Sequence, residues 1–305
     1  MTTAPTDLIG RQQLAQLNSL RDGPGWLRLS SHLGLIVGAG VIWRLDTLPM
    51  PLRLLGLGVS GIGLATCFAG LHECCHRTAF RSKPLNDGVA WLLGLLSFYN
   101  ATFYRRYHQW HHRYTHQPGL DPELEDPVPT SLGAYLLEIS GWNWWTGKLR
   151  GYGRLLWGDP STYPYLNPEI CAQVRRSVRL QFLVYALLAG LSWVDGNGFL
   201  FWNWLLPLAI GQPFLRFLLL AEHTGCAYSS DGLDNTRTTL TIAPVRWLMW
   251  NMPFHAEHHL YPSLPFHALP AAHHWIGPRL QHLDPGYLAV HARLLPRLAE
   301  LGQPA

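Results

Sequence analysis

LLGLGVSGIGLATCFAGLHECCH, residues Leu54–His76, is the stretch whose reading decides the fold. From Leu54 to Leu71 it carries no charge, which is long enough for a helix to cross a bilayer, since a span takes roughly 17–25 residues. It then closes on His72-Glu73-Cys74-Cys75-His76, where the two imidazoles stand one turn apart on a single helical face. An apolar helix that ends in paired ligating side chains predicts a membrane protein with a metal site at one surface.

Three further stretches match the apolar part: Leu29–Trp43, Leu180–Val194 and Phe199–Ala221, the last interrupted only by Arg216. The first and third of the four spans are short and are expected to lean on arginines that snorkel from their ends. Short gaps join the first span to the second and the third to the fourth, so two hairpins result. Composition agrees. The chain of 305 residues is 48% hydrophobic and 14% charged, with 14 Trp, against roughly 25% charged in soluble domains.

The net charge of +4 comes from arginines bordering apolar segments, not from a basic stripe with stacking aromatics, so no nucleic-acid partner is expected. Five cysteines, an odd number with Cys74 and Cys75 adjacent, make no disulfide framework. The polar segment up to Arg28 lacks the basic and apolar regions of a cleaved signal. Twelve of the 23 Lys and Arg lie between Arg77 and Arg179, and the Asp195-Gly196-Asn197-Gly198 turn has none. The positive-inside rule then places the central segment and both termini in the cytoplasm. The expected organisation is one domain: a polar segment over 1–28, transmembrane helices with a central cytosolic insertion over 29–221, and a C-terminal cytosolic cap over 222–305.

Gly88–Tyr104 is a fifth apolar stretch. Were it to span, the histidines on either side would face opposite compartments, so it is read as an interfacial or re-entrant helix. Two glycine motifs are set aside. Gly56–Gly61 fits G-x-G-x-x-G but lies inside an apolar span, without the strand and helix that a nucleotide site needs. Gly34 and Gly38 form a G-x-x-x-G, read as helix packing.

Nine of the 16 histidines form a pattern: His72 and His76; His108, His111 and His112; His255, His258 and His259; and His223 at the end of the fourth span. Positions i, i+3 and i+4 share a helical face, so each cluster aims two or three imidazoles at one point. Adjacent histidines diverge by about 100° on a helix of 3.6 residues per turn, so each His-His pair is suited to reach two metals, one each. Nine nitrogens exceed what one ion can use. Imidazole by itself does not choose among iron, zinc, copper and nickel. One such cluster occurs on ordinary surface helices; three at span ends on one side point to metal.

His116 extends the second cluster by a turn, as a ligand or as a partner that orients one. Glu73, Glu222 and Glu257 are expected to accept the outer N–H of ligating rings, with Glu73 also within the first cluster. The Asp121–Asp126 run is read as loop solvation. Cys74 and Cys75 are expected to pack as small hydrophobes. His32, His267, His273, His274, His282 and His291 are read as surface or packing residues.

These motifs resemble the membrane fatty acid desaturase superfamily, with its hydroxylases. The resemblance rests on His72–His76, on His108–His116 followed by Asp121-Pro122-Glu123, on Ala221-Glu222-His223-Thr224-Gly225, and on Asn251–Pro270. It covers roughly Leu54 to His273. It implies an all-α integral membrane fold, four transmembrane helices topped by a cytosolic helical cap holding a di-iron site. The family's ligand positions fall on His72, His76, His108, His111, His112, His223, His255, His258 and His259. Some acyl-CoA members carry Asn four residues before the position of His223; Leu219 stands there, which tilts the site toward an all-histidine shell.

The resemblance further implies two Fe ions with O2 as co-substrate, a lipid or fatty acyl substrate, and localisation in a bacterial inner membrane. No cytochrome b5 haem motif is present, so a separate ferredoxin- or rubredoxin-like donor with its reductase is expected, docking on the arginine-rich face. An apolar tunnel is expected along Trp91, Phe98 and Trp247. Desaturation is the leading reading; hydroxylation and oxidative decarboxylation to a terminal alkene are alternatives on the same scaffold. A histidine-rich metal-handling membrane protein is the alternative of a different class.

Overall fold

The computed structural model describes residues 8–301; the first seven and last four residues, including the start of the polar segment over 1–28, lie outside the described part. A short helix α1 (Arg11–Leu17) precedes α2 (Asp22–Arg44) and α3 (Met50–His76), a hairpin closed by a turn at 45–49 with Pro49 as N-cap and a proline in the first turn of α3. Then come α4 (Lys83–Ser97), α5 (Ala101–Tyr114), α6 (Leu132–Ile139), α7 (Trp142–Trp157) and α8 (Pro168–Val194). A π-helical turn, Phe201–Leu205, leads into α9 (Leu206–His223). The remaining chain is β1 (Thr238–Thr239), α10 (Ala243–Leu248), α11 (His255–Leu260), α12 (Leu269–Ile276), β2 (Leu283–Asp284), α13 (Tyr287–Leu294) and α14 (Leu298–Leu301). Among the described residues the fold is all-α save for one parallel pairing, Thr238 with Leu283 and Thr239 with Asp284.

Among the described residues four helices are long and apolar enough to cross a membrane: Asp22–Arg44, Met50–His76, Pro168–Val194 and Phe201–His223. The first and third are 23 and 27 residues long, longer than their apolar runs because each helix continues through arginines at the end of its run, Arg28 in α2 and Arg175, Arg176 and Arg179 in α8. The Asn167 side chain accepts from Ile170 N and starts α8 well before its apolar run. Within their apolar windows α3 is 72% buried and α8 only 11%. The α3 helix is therefore the axis of the bundle, and α8 presents its surface to the surroundings.

Helices α3 and α9 cross where Gly61 meets Gly211. A Cβ on Gly211 would stand 1.9 Å from the Gly61 carbonyl oxygen, so this backbone contact exists only because both are glycine. Gly61 lies eleven residues before His72, and Gly211 twelve before His223; the crossing brings both histidine-bearing ends to one level. The packing expected of Gly34 and Gly38 is not found. A Cβ at either would meet nothing within 4 Å, and both border an open apolar groove with Leu35, Ile42 and Leu52.

The fifth apolar stretch is two helices, not one. Phe98 takes a left-handed conformation (φ 61°) that ends α4, and Asn100 caps α5 by accepting from Phe103 N. Four carbonyls at the break find side-chain donors: Leu95 from the Tyr185 hydroxyl at 2.8 Å, Leu96 from Trp204 Nε1 at 2.9 Å, Phe98 from the Tyr152 hydroxyl at 3.0 Å, and Tyr99 from Gln181 Nε2 at 3.3 Å. A helix break in an apolar setting persists only when its backbone is paired in this way. It turns α5 so that its histidines meet those of α3.

The N-terminal segment is tied to the cap: Leu8 and Ile9 are buried with Phe254, Leu264, Leu269, Ala272 and Ile276.

Candidate metal centre

Four elements bring the nine histidines together. His72 and His76 end α3, His108, His111 and His112 lie on α5, His223 ends α9, and His255, His258 and His259 form most of α11. The joints are specific. Arg105 of α5 donates to the Cys75 carbonyl at 3.1 Å and joins Arg77 on Asp87, which clamps α5 to the end of α3. The Arg237 amide donates to the Glu222 carbonyl at 2.9 Å, and its guanidinium to the Thr224 carbonyl at 2.9 Å, closing the end of α9. Arg237 itself is held by Asp284 at 3.0 Å, both buried.

The rings sort into two groups. His72, His76, His108, His112 and His258 present nitrogens within 4.8 Å of one another, and so do His111, His223 and His259. His255 joins the second group, its Nε2 3.1 Å from Nε2 of both His223 and His259. Each adjacent pair is divided: His111 and His259 belong to one group, His112 and His258 to the other. In the first group Nε2 of His112 stands 3.0 Å from His108 Nε2 and 3.1 Å from His258 Nε2.

Two imidazole nitrogens bound at about 2.1 Å to one ion, at right angles, stand about 3.0 Å apart. The observed edges have that length. Burial also holds the rings neutral, as ligation requires. It drives His108, His112, His255, His258 and His259 well below the ordinary imidazole range, with neighbouring rings adding to the shift. His111 is the exception: burial lowers it, but the Glu123 and Asp121 carboxylates outweigh burial and raise it. Both nitrogens of His72, and Nε2 of His76, are buried without a protein hydrogen-bond partner. Buried ring nitrogens without a protein partner are what an ion would satisfy, so the residues fit two metal ions.

The surrounding carboxylates depart from expectation in part. Glu73 Oε1 lies 3.3 Å from His72 Nδ1, but Glu222 Oε2 lies 3.4 Å from His255 Nε2, the nitrogen that faces His223 and His259, and so does not accept an outer N–H. Glu257 does not touch the nine. It leaves the opposite face of α11, accepts from the Thr238 hydroxyl and pairs with His273. Asp121, read as loop solvation, is buried and accepts from His111 Nδ1 at 2.9 Å. The Pro118-Gly119 pair marks a turn, with Gly119 at φ 77° and the Asp121 amide donating to the Gln117 carbonyl at 3.0 Å, but the pattern does not say that the turn delivers Asp121 to His111. Glu123, of the same run, approaches His111 Nε2 at 3.7 Å. His116 stands outside both groups, donating from Nδ1 to the Ala227 carbonyl at 2.7 Å. Cys74 and Cys75 are buried and unbridged, packed among apolar neighbours.

A cavity of about 550 Å³ reaches His72, His108, His111, His223 and His255, walled by Tyr99, Phe103, Tyr104, Tyr107, Trp144 and Tyr165 among others. Trp91, Phe98 and Trp247 do not line it. Phe98 points into an aromatic cluster of Trp144, Trp145, Tyr152, Phe182, Tyr185 and Trp204, because the left-handed turn at its own backbone aims it away. Trp247 sits at the surface under the Arg28 guanidinium. The wall residues cluster on α5 and α7, whose facing sides the apolar runs alone do not reveal.

A family model described as "Fatty acid desaturase" matches residues 48–291. The chain is 25% identical over 224 residues to the sphingolipid delta(4)-desaturase DES1 of Drosophila melanogaster, covering 68% of this chain and 63% of that one. It is 28% identical over 211 residues to the mouse sphingolipid delta(4)-desaturase/C4-monooxygenase DES2, covering 66% and 58%. Over 141 residues it is 30% identical to the sn-1 oleoyl-lipid 12-desaturase of a Picosynechococcus strain, covering 44% and 39%. The matches thus span less than two thirds of the length of these relatives.

Proposed function

Because this chain belongs to the fatty acid desaturase family, we propose that it is a membrane di-iron oxidoreductase that desaturates a lipid acyl chain with O2. The observation that carries the reading is the division of each His-His pair between two groups of buried rings beside one cavity walled largely by aromatic side chains. Nine ligands are assigned: His72, His76, His108, His112 and His258 to one iron, and His111, His223, His255 and His259 to the other. Iron held there supplies reductive O2 activation and the power to break an unactivated C–H bond.

The chain's own residues do the rest. Asp121 fixes the tautomer of His111 by taking its Nδ1 proton in a hydrogen bond. The aromatic wall keeps water from the reacting methylenes and holds them against His72 and His108. Desaturation consumes one O2, two electrons and two protons, and yields one double bond and two waters. The electrons come from a separate ferredoxin- or rubredoxin-like donor with its reductase, docking on the arginine-rich cytoplasmic face. The membrane is a bacterial inner membrane with both termini inside. Hydroxylation is the second reading, favoured by the mouse relative whose name carries both desaturase and monooxygenase.

Mass spectrometry of lipids from a host expressing the protein tests this. Loss of two mass units is expected; a gain of sixteen would make it a hydroxylase, and a volatile alkene a decarboxylase. Metal analysis is expected to give two irons per chain. Zinc or copper in their place, with metal transport in vesicles, would overturn the enzyme reading.

A further inference from the structure

Arg216 is the only Asp, Glu, Lys or Arg in the fourth span before Glu222. It lies seven residues before His223, about 10 Å at 1.5 Å per residue, and so on the membrane side of the histidines. A cation at such depth is costly and marks function more often than stability. It does not snorkel: Nη2 donates to the Tyr99 hydroxyl at 3.1 Å, and Nε is buried with no acceptor. From the other side Lys148 of α7 places its ammonium 3.6 Å from the centre of the same Tyr99 ring. Among the described residues neither cation has a carboxylate within ion-pair distance. Asp126 is the acid whose field reaches Lys148, and it forms no ion pair with it. Two cations converge on one tyrosine with no carboxylate in contact with either, and both line the cavity that reaches the histidines, whose wall also carries Glu123, Asp126 and Glu222; the field of Arg216 reaches Glu123 and Glu222.

We propose that Lys148 and Arg216 seat the anionic head group of the acyl substrate, a carboxylate or a phosphate, within the cavity. This rests on the acyl-chain reading above and deepens it by naming the class of head group. Cation–π contact with Tyr99 holds Lys148 in place but leaves its N–H donors for an anion. Burial first, then the field of Arg216, bring Lys148 down to about 7; an anion between them would reverse that cost. One turn deeper on α9, the Gln212 amide is wholly buried and likewise has no partner. The seat also sets where oxidation falls. Tyr99 is two ring contacts from the first histidine group, through Phe68 (4.8 Å, then 6.3 Å to His72) or through Tyr104 (5.7 Å, then 5.1 Å to His108). A head group held there puts carbons near the head, not the methyl end, beside the metals.

The test uses the full iron-loaded protein in nanodiscs, with tryptophan fluorescence reporting binding of hexadecanoic acid, its methyl ester and phosphatidylglycerol. At least one anionic ligand is expected to bind about tenfold tighter than the ester, a difference of about 1.4 kcal/mol; comparison of acid with phospholipid tells which anion. Lys148→Met and Arg216→Met are each expected to remove that preference while ester affinity holds, and Lys148→Arg to keep it. The melting temperature of Lys148→Met is not expected to fall, since an unpaired buried charge is removed. Equal binding of ester and anions would overturn the seat, as would variants that lose ester affinity and melting temperature together, the signature of a structural cation. If iron loading persists and some acyl lipid is still oxidised, only the seat fails; if no acyl chain is oxidised whatever its head group, the function itself fails.

Discussion

The two histidine groups use the same side chain in two different ways. In the group of His72, His76, His108, His112 and His258, the Nδ1 atoms of His72, His108, His112 and His258 have no hydrogen-bond partner, and Glu73 is the carboxylate beside them. These rings are aimed by packing against each other, with centroids 4.4–4.8 Å apart between His72 and His108 and between His76 and His108, His112 or His258. In the other group three rings are anchored from behind: His111 by Asp121, His223 by the Asn235 carbonyl at 3.1 Å, and His259 by the Thr115 hydroxyl at 3.1 Å. Asp121, Glu123 and Glu222 surround it. One group is assembled by helix faces, the other by acceptors that loops and a helix end bring in. A cation in the second group would sit among more negative charge, so the two ions should differ in affinity.

The largest effects separate the groups directly. His258→Ala and His259→Ala are each expected to lower product formation by more than about a hundredfold, the upper end for loss of a mere orienting partner. His258→Ala should lose the first iron and His259→Ala the second, each leaving about one iron per chain by elemental analysis. If either variant loses both irons, the groups are not separate sites and the comparison breaks.

Next in size is the joint behind the second group. Asp284 is 1% exposed and pairs with Arg237 at 3.0 Å and with Arg293. Breaking a buried pair costs about 3–5 kcal/mol, so Asp284→Asn should lower the melting temperature sharply and loosen His223 more than His72. An unchanged melt would show that the β1–β2 pairing alone holds α9 closed. Asp121→Asn comes third. Removing a carboxylate behind a ligating imidazole typically costs about 10–100-fold in affinity or activity, here confined to the second iron. Equal weakening of both irons would show that Asp121 acts on the cap as a whole.

The same contrast explains what the sequence could disclose. Periodicity places His72 with His76, and His108 with His111 and His112, because i, i+3 and i+4 on one helix need no tertiary knowledge. The division of the His-His pairs follows from the 100° step between neighbours. The acceptors behind the second group were not legible, since Asn235, Thr115 and Asp121 reach it through turns whose direction no local pattern fixes. Glu257 looked the same as Glu222 in sequence, yet α11 turns it outward to His273. Gly88–Tyr104 reads as one apolar run; its break depends on Tyr152, Gln181, Tyr185 and Trp204, which lie far along the chain. The start of α8 hid in polar sequence, because Glu169 in its first turn and Arg175, Arg176 and Arg179 beyond it give no apolar signature.

The smallest effect belongs to the joint behind the first group, and it sharpens the comparison by its modesty. Asp87 binds Arg77 at 2.8 Å and also Arg105, as Asp284 binds two arginines, but its side chain is 40% exposed. Burial raises its carboxyl, the two arginines lower it, and the arginines win. A depressed carboxylate stabilises the fold above its unfolded value of 3.8 and loses that contribution as pH falls through the folded value. Solvent screening keeps the sum near or below about 1 kcal/mol. Asp87→Asn should therefore lower the melting temperature slightly at pH 7, with wild type and variant converging below pH 3.8, and should leave both irons in place. A loss as large as that of Asp284→Asn would mean that the first group depends on its clamp as much as the second. Packing among its five rings would then not suffice to aim them.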